Sequence, residues 1–237
     1  MDAILLDLFG TVVAYGDVVQ GTRVAWKGIY TVLQELGSEL AYDAFVPLWE
    51  EAFNTPLAPA DDRHGTVFMG KMARFMRDCG LPIEPDATRR AVDNCLAGWD
   101  AFLDLPVDVI PTLCALRREH RLVLVSNFDH PPYARELLDR LGLTPCLDAI
   151  VISGELRIDK PDPRIVQHAL TAVECSAERA VFVGDSLDAD IGGALAAGCL
   201  PVLIDRRGRH PDYTGHRIEH MGQLPALLAQ LADEDRP

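Results

Sequence analysis

The chain has 237 residues, of which 49% are hydrophobic, and a mean hydropathy of +0.07. Its 36 acidic residues against 22 Lys and Arg leave a net charge of −14, which speaks against a nucleic-acid partner, since phosphate backbones need clustered basic residues. No apolar stretch approaches the ~20 residues of a membrane helix, so no membrane partner is expected.

The first predicted element is a strand, the apolar run Ile4-Leu5-Leu6, which ends in Asp7 and continues as Leu8-Phe9-Gly10-Thr11. A run that is apolar on both sides belongs inside a parallel sheet. Ligands of open α/β sheets bind beyond the carboxyl ends of such strands, which makes Asp7 a candidate nucleophile. Gly10 lets the backbone turn and approach a substrate closely. The strand begins almost at residue 1, so no signal peptide is expected. Six cysteines (Cys79, Cys95, Cys114, Cys146, Cys175 and Cys199) show no C-x-x-C or metal spacing. They read as reduced core thiols, and the expected location is the cytoplasm.

From about Gln20 to Phe102 the pattern is helical, without a strand. Val24, Ile29, Val32, Leu33 and Leu36 mark one helix, stopped by Gly37. Asp43 is expected to cap a second, which carries Phe45, Leu48, Trp49 and Phe53. Asn54 to Gly65 reads as a polar loop. Val67, Phe68, Met72, Phe75 and Met76 mark a third helix ending at Gly80, and a fourth starts near Asp86. Pro106 marks the return to the core, so the expected division is residues 1–14 and 106–237 as an α/β core and 15–105 as a helical domain.

Beyond Pro106, helices and strands alternate as βαβ units require, and the fold class is α/β with a parallel sheet. Helices are predicted over Asp108–His120, Pro132–Leu141, Pro163–Val173, Asp190–Ala197 and Leu224–Leu231, with strands at Leu122–Val125, Ala149–Ser153, Val181–Val183 and Pro201–Ile204. The tail from Asp233 to Pro237 is expected to fray. One strand ends in Ser126-Asn127 and another in Gly184-Asp185-Ser186, with Asp188 and Asp190 close behind. Between them, Lys160 sits just before a helix. Each has an ordinary structural explanation as a cap or a solvated surface group. The four together, in this order, are harder to explain that way.

In this pattern the chain resembles the haloacid dehalogenase-like superfamily of hydrolases. Asp7-Leu-Phe-Gly-Thr11 resembles its first motif, Ser126-Asn127 its second, and Lys160-Pro-Asp-Pro163 its third. Gly184-Asp-Ser-Leu-Asp-Ala-Asp190 with Ile-Gly-Gly-Ala194 resembles the fourth. The resemblance implies a Rossmann-like parallel-sheet core with a helical cap inserted between motifs one and two. It implies a small-molecule substrate and a monomer or homodimer. Asp7 would be the nucleophile, with Ser126 and Lys160 holding the reacting oxygens. Phe9, Gly10, Thr11 and Asn127 would bind substrate, and Arg23 of the cap would meet a carboxylate. Mg²⁺ would sit on Asp7, Asp185 and the backbone carbonyl of Phe9, with Asp190 completing its second shell or orienting Lys160.

Phe9 departs from the phosphatases of this superfamily, which place a second aspartate there to protonate the leaving oxygen. General acid–base help is worth ~10²–10⁴-fold, so a phosphatase without it should be slow or need a good leaving group. The superfamily's 2-haloacid dehalogenases lack that aspartate and need no metal, because halide leaves as an anion. Asp185 and Asp190 point the other way. The favoured expectation is a Mg²⁺-dependent phosphatase, with a metal-free dehalogenase or a catalytically degenerate binding protein as alternatives.

Overall fold

The computed structural model describes residues 1–58 and 64–234, and it divides into two compact units. The first comprises residues 1–14, 104–128 and 134 onward, and the second residues 15–103 with 129–133. Part of the expected Asn54–Gly65 loop and the end of the expected fraying tail lie outside the described residues.

The first unit is built on six parallel strands: β1 (Ala3–Leu6), β4 (Arg121–Ser126), β5 (Ala149–Ile152), β6 (Ala180–Gly184), β7 (Leu200–Ile204) and β8 (His216–Ile218). The numbers β2 (Ala14–Tyr15) and β3 (Leu103–Asp104) belong to a short two-stranded ladder where the chain passes between units. The large sheet runs in the order β5-β4-β1-β6-β7-β8. From β1 the chain builds outward first through β4 and β5, then on the other side through β6, β7 and β8. The order therefore reverses at β1, and open parallel sheets bind ligands at such a reversal.

Burial explains why these runs are strands. All four residues of β1 and all five of β6 are buried, as a strand covered on both faces must be. Ala3, Leu5, Val123, Val125 and Phe182 pack on one face against Ile165, Val166, Ala169 and Leu170 of the helix Pro163–Ala172. That helix starts at Pro163 because Asp162 accepts the Arg164 amide and proline suits the first helical position.

Among the described residues, the second unit holds four helices: α1 (Val18–Glu35), α2 (Tyr42–Asn54), α3 (Val67–Asp78) and α4 (Pro85–Asp100). Trp49 and Phe45, both fully buried, pack edge-on against Phe75 of α3, with ring centroids 5.2 and 5.8 Å away. The segment 129–133 is fastened to α3 and α4 by Lys71–Asp129 (2.6 Å), Thr66–His130 (2.8 Å) and Tyr133–Asp100 (2.6 Å).

Several boundaries differ from the sequence expectation. Ala41, not Asp43, is the residue before α2, and Asp43 sits in the first turn, where a negative charge still suits the helix dipole. The helix α5 (Val109–Leu116) stops four residues before His120, because its apolar stripe ends at Leu116 and Arg117, Arg118 and Glu119 are all exposed. The helix expected from Asp190 is in fact a π-helical turn, Leu187–Gly192, followed by the short helix Gly193–Ala197. Strand β8 was not expected at all. It is a three-residue edge strand carrying His216 and Arg217, so it has no apolar run to betray it.

Candidate active site

Asp7 leaves β1 at the carboxyl end, and its backbone N–H donates to Val183 of β6 at 3.0 Å. Neighbouring β4 ends at Ser126, and neighbouring β6 ends at Gly184 before Asp185. Parallel register therefore brings three of the four sequence motifs to one edge of the sheet without any loop having to travel. The remaining one, the third in chain order, arrives through Lys160, which enters from the segment before the helix Pro163–Ala172.

Lys160 organises the cluster. Its Nζ donates to Asp7 Oδ1 at 2.6 Å, to Asp190 Oδ1 at 2.7 Å and to the Val125 carbonyl at 2.9 Å. Three donors thus meet three acceptors, which is what an ammonium group needs when its side chain is only 2% exposed. Burial works to neutralise Lys160, but the charges of Asp7 and Asp190 outweigh it and hold its pKa above the ordinary lysine value.

Asp190 is fixed at both oxygens, since Oδ1 accepts from Lys160 and Oδ2 accepts from the Ser186 amide at 2.9 Å. The π-helical turn makes this possible by turning Asp190 inward while Ser186 caps its start at Ala189. A side chain at Gly184 would occupy the space of that same carboxylate. Gly10 has the matching role on the other side. Its φ is +94°, and a Cβ there would collide with Asp185.

Oxygens of Asp7, Asp185 and Asp190 all lie within 4.8 Å of one another. With all three carboxylates ionised, one ammonium leaves two negative charges. Burial first, with the charges of Asp190 and Asp185 added and Lys160 opposing, pushes the Asp7 carboxyl up to about 7. Asp185 is raised as well, by burial and by Asp190, against the pull of Lys160 and Arg209. Such a cluster fits a divalent cation. Its donors are all oxygen, its surplus charge is two, and Asp185 and the second oxygen of Asp7 are not taken up by Lys160.

A protein-family model described as haloacid dehalogenase-like hydrolase matches residues 1–198. The chain belongs to the haloacid dehalogenase-like hydrolases. It is 36% identical over 165 residues to a glyceraldehyde 3-phosphate phosphatase of Methanopyrus kandleri, covering 70% of each chain. It is 33% identical over 152 residues to the N-acylneuraminate-9-phosphatase of Mus musculus, covering 60% of this chain and 61% of that one. The match thus spans about three fifths of that relative's length. A crystal structure of a 2-haloacid dehalogenase from Pseudomonas syringae shares the fold, with a TM-score of 0.72 at 21% identity over 98% of this chain and 99% of that one.

For a hydrolase of this family, the other expected site residues fall into distinct places. Asn127 is committed to the lysine's backbone: Nδ2 donates to the Lys160 carbonyl at 2.9 Å and Oδ1 accepts the Lys160 amide at 2.8 Å. It therefore positions Lys160. Gly10 donates its amide to the Val13 carbonyl at 2.7 Å, and the Val13 amide donates to the Leu8 carbonyl at 2.8 Å, closing the loop after Asp7. Gly10 contributes room and curvature. The hydroxyls of Thr11 and Ser126 are buried without a hydrogen-bond partner among the described residues. The Phe9 ring rests on Phe128, with centroids 4.9 Å apart. Arg23 belongs to the second unit, where it lines an open groove of about 310 Å³ with Trp26, Tyr42 and Asp43.

Sequence reasoning missed Arg206, whose guanidinium donates to the Thr11 carbonyl at 2.7 Å. The signal was present: a basic run, Arg206-Arg207-Gly208-Arg209, at the carboxyl end of a strand next to the motif-four strand.

Proposed function

We propose that this hydrolase is a Mg²⁺-dependent phosphatase acting on a small phosphorylated metabolite, with Asp7 as nucleophile. The observation that carries the reading is the two-charge surplus of the Asp7–Asp185–Asp190–Lys160 cluster. Displacing a halide needs a nucleophile and its orienting lysine. It does not need two further carboxylates crowded within 4.8 Å. Phosphatase relatives at 36% and 33% identity support the same reaction class.

Asp7 attacks phosphorus through a carboxylate oxygen, the bond to the ester oxygen breaks, and an aspartyl-phosphate forms. Lys160 holds Asp7 in its attacking position and balances charge on the transferring group. Asp190 keeps Lys160 in place, and Asn127 fixes the backbone that carries it. The hydroxyls of Ser126 and Thr11 would gain partners in the oxygens of the phosphoryl group. Mg²⁺, held by Asp7, Asp185 and the Phe9 carbonyl, would supply charge neutralisation that lets an anionic nucleophile approach an anionic phosphate. Phe9 has no proton to give, so the leaving oxygen takes its proton from water. Water then attacks phosphorus, releasing phosphate and restoring Asp7. We assign substrate selection to the helical unit.

One observation favours the dehalogenase reading: the Phe9–Phe128 pair makes an aromatic surface where an acid would otherwise stand. A panel of phosphate monoesters and 2-haloacids, each with Mg²⁺ and with EDTA, separates the two. Phosphate release that is lost in EDTA supports the proposal. Halide release that survives EDTA would replace it with dehalogenation. An enzyme inert to both sets refutes each.

A further inference from the structure

The turn after β7 is built around a buried carboxylate. Asp205, 5% exposed, accepts the backbone N–H groups of Arg209 at 2.8 Å and His210 at 3.0 Å. Its own amide donates to Ile218 of β8 at 2.8 Å, so the turn is tied to the sheet at its root. Arg206 leaves this rigid base and donates from Nη2 to the Thr11 carbonyl, 195 residues earlier in the chain, at 2.7 Å. Its Nε is buried without a partner among the described residues.

Holding a guanidinium in this half-buried place is unfavourable in itself. Burial lowers its proton affinity, and the carboxylates of Asp108 and Asp185 counter that. What the arrangement provides is a charge-assisted hydrogen bond to the backbone of the nucleophile loop. The loop's internal bonds, Gly10 to Val13 and Val13 to Leu8, close it on itself. Arg206 adds a constraint from outside, on the peptide that follows the Thr11 hydroxyl.

We infer that Arg206 is a positioning residue, which pins the Leu8–Val13 loop to the β7 end of the sheet and so sets the Phe9 carbonyl and the Thr11 hydroxyl for the reacting phosphoryl group. The inference rests on the proposed role of Asp7. It predicts that substrate binds nearly as before when Arg206 is removed, while the chemical step slows. Lysine retains the charge and can reach one carbonyl, so it restores part of the function, whereas a neutral side chain does not.

Two measurements on the 237-residue chain decide it, using wild type, Arg206→Ala, Arg206→Gln and Arg206→Lys. The first is amide hydrogen exchange of the peptide covering residues 8–13, which needs no turnover. Arg206→Ala and Arg206→Gln should exchange about tenfold faster or more there, with the β4 and β6 peptides unchanged and Arg206→Lys intermediate. The second is Mg²⁺-dependent hydrolysis of p-nitrophenyl phosphate. kcat should fall about tenfold or more in the neutral variants, with KM within about threefold, and Arg206→Lys should recover part of the loss. Unchanged exchange at residues 8–13 overturns the pinning. Faster exchange with unchanged kcat overturns the positioning role. If wild type hydrolyses no phosphate, the phosphatase reading fails separately, and exchange alone decides whether Arg206 pins the loop.

Discussion

The raised Asp7 carboxyl makes a prediction about stability that can be worked from the structure. In the unfolded chain this group titrates near 3.8, and in the folded protein it is pushed up to about 7, by burial above all. Between those values the folded state holds a proton that the unfolded state has released. Stability from this group is therefore complete below about pH 4, falls as pH rises to about 7, and changes no further above that. A difference of about 3 units at ~1.4 kcal/mol per unit corresponds to about 4 kcal/mol, or on the order of 10 °C in Tm for a chain of this size. Thermal melts of wild type and Asp7→Asn in EDTA, from pH 4 to 8, isolate the effect, because the variant keeps every other titrating group. Wild type should lose stability relative to the variant across pH 4–7. Mg²⁺ should flatten that loss, since a cation on the ionised carboxylate stabilises the deprotonated form. A wild-type-minus-variant difference independent of pH would refute the claim that Asp7 lies in an under-neutralised carboxylate cluster.

Gly10→Ala should fold but lose most of the Mg²⁺-induced rise in Tm, because the new methyl collides with the Asp185 carboxylate and the +94° φ disfavours any side chain; an undiminished rise would show that Asp185 does not hold the ion where proposed. Lys160→Met should destabilise the protein by about 3–5 kcal/mol, most strongly above pH 7, since it leaves Asp7 and Asp190 without their shared counter-ion. Urea titrations at pH 5 and pH 8 test both size and direction, and an equal loss at the two pH values would contradict the charge argument. Phe9→Asp should raise turnover of alkyl phosphates by up to ~10²-fold and of aryl phosphates by less, because aryl leaving groups need little protonation. No gain on any phosphate, in a folded variant that still binds Mg²⁺, would discard the idea that this position lacks an acid.

Sheet and motif placement were legible in the sequence because the information is local. Ile4–Leu6, Leu122–Val125 and Val181–Val183 are apolar throughout, followed by Asp7, by Ser126 and, after Gly184, by Asp185. Parallel pairing then brings those ends together without further information. What the sequence concealed depends on distant contacts or on backbone detail. Strand β8 is a polar edge that owes its form to β7 and Asp205. The segment 129–133 reads as the start of a helix, and only Lys71, Thr66 and Asp100 reveal that it belongs with the helical unit. The resemblance of Ser126-Asn127 to motif two gives no hint that the Asn127 amide is bonded twice to a backbone 33 residues away. The basic run Arg206-Arg207-Gly208-Arg209 stands in the sequence, but the acceptor of Arg206, a carbonyl 195 residues earlier, does not show there.

The proposed reaction requires Asp7 to form a covalent bond to phosphorus. Acid quenching during steady turnover of a phosphate monoester with Mg²⁺, followed by peptic digestion and mass spectrometry, reads that bond directly. The peptide containing Asp7 should carry the added mass of one phosphoryl group in wild type and none in Asp7→Asn, which should also release no phosphate. Phosphate release by wild type with that peptide unmodified at every quench time, or normal turnover by Asp7→Asn, would contradict it.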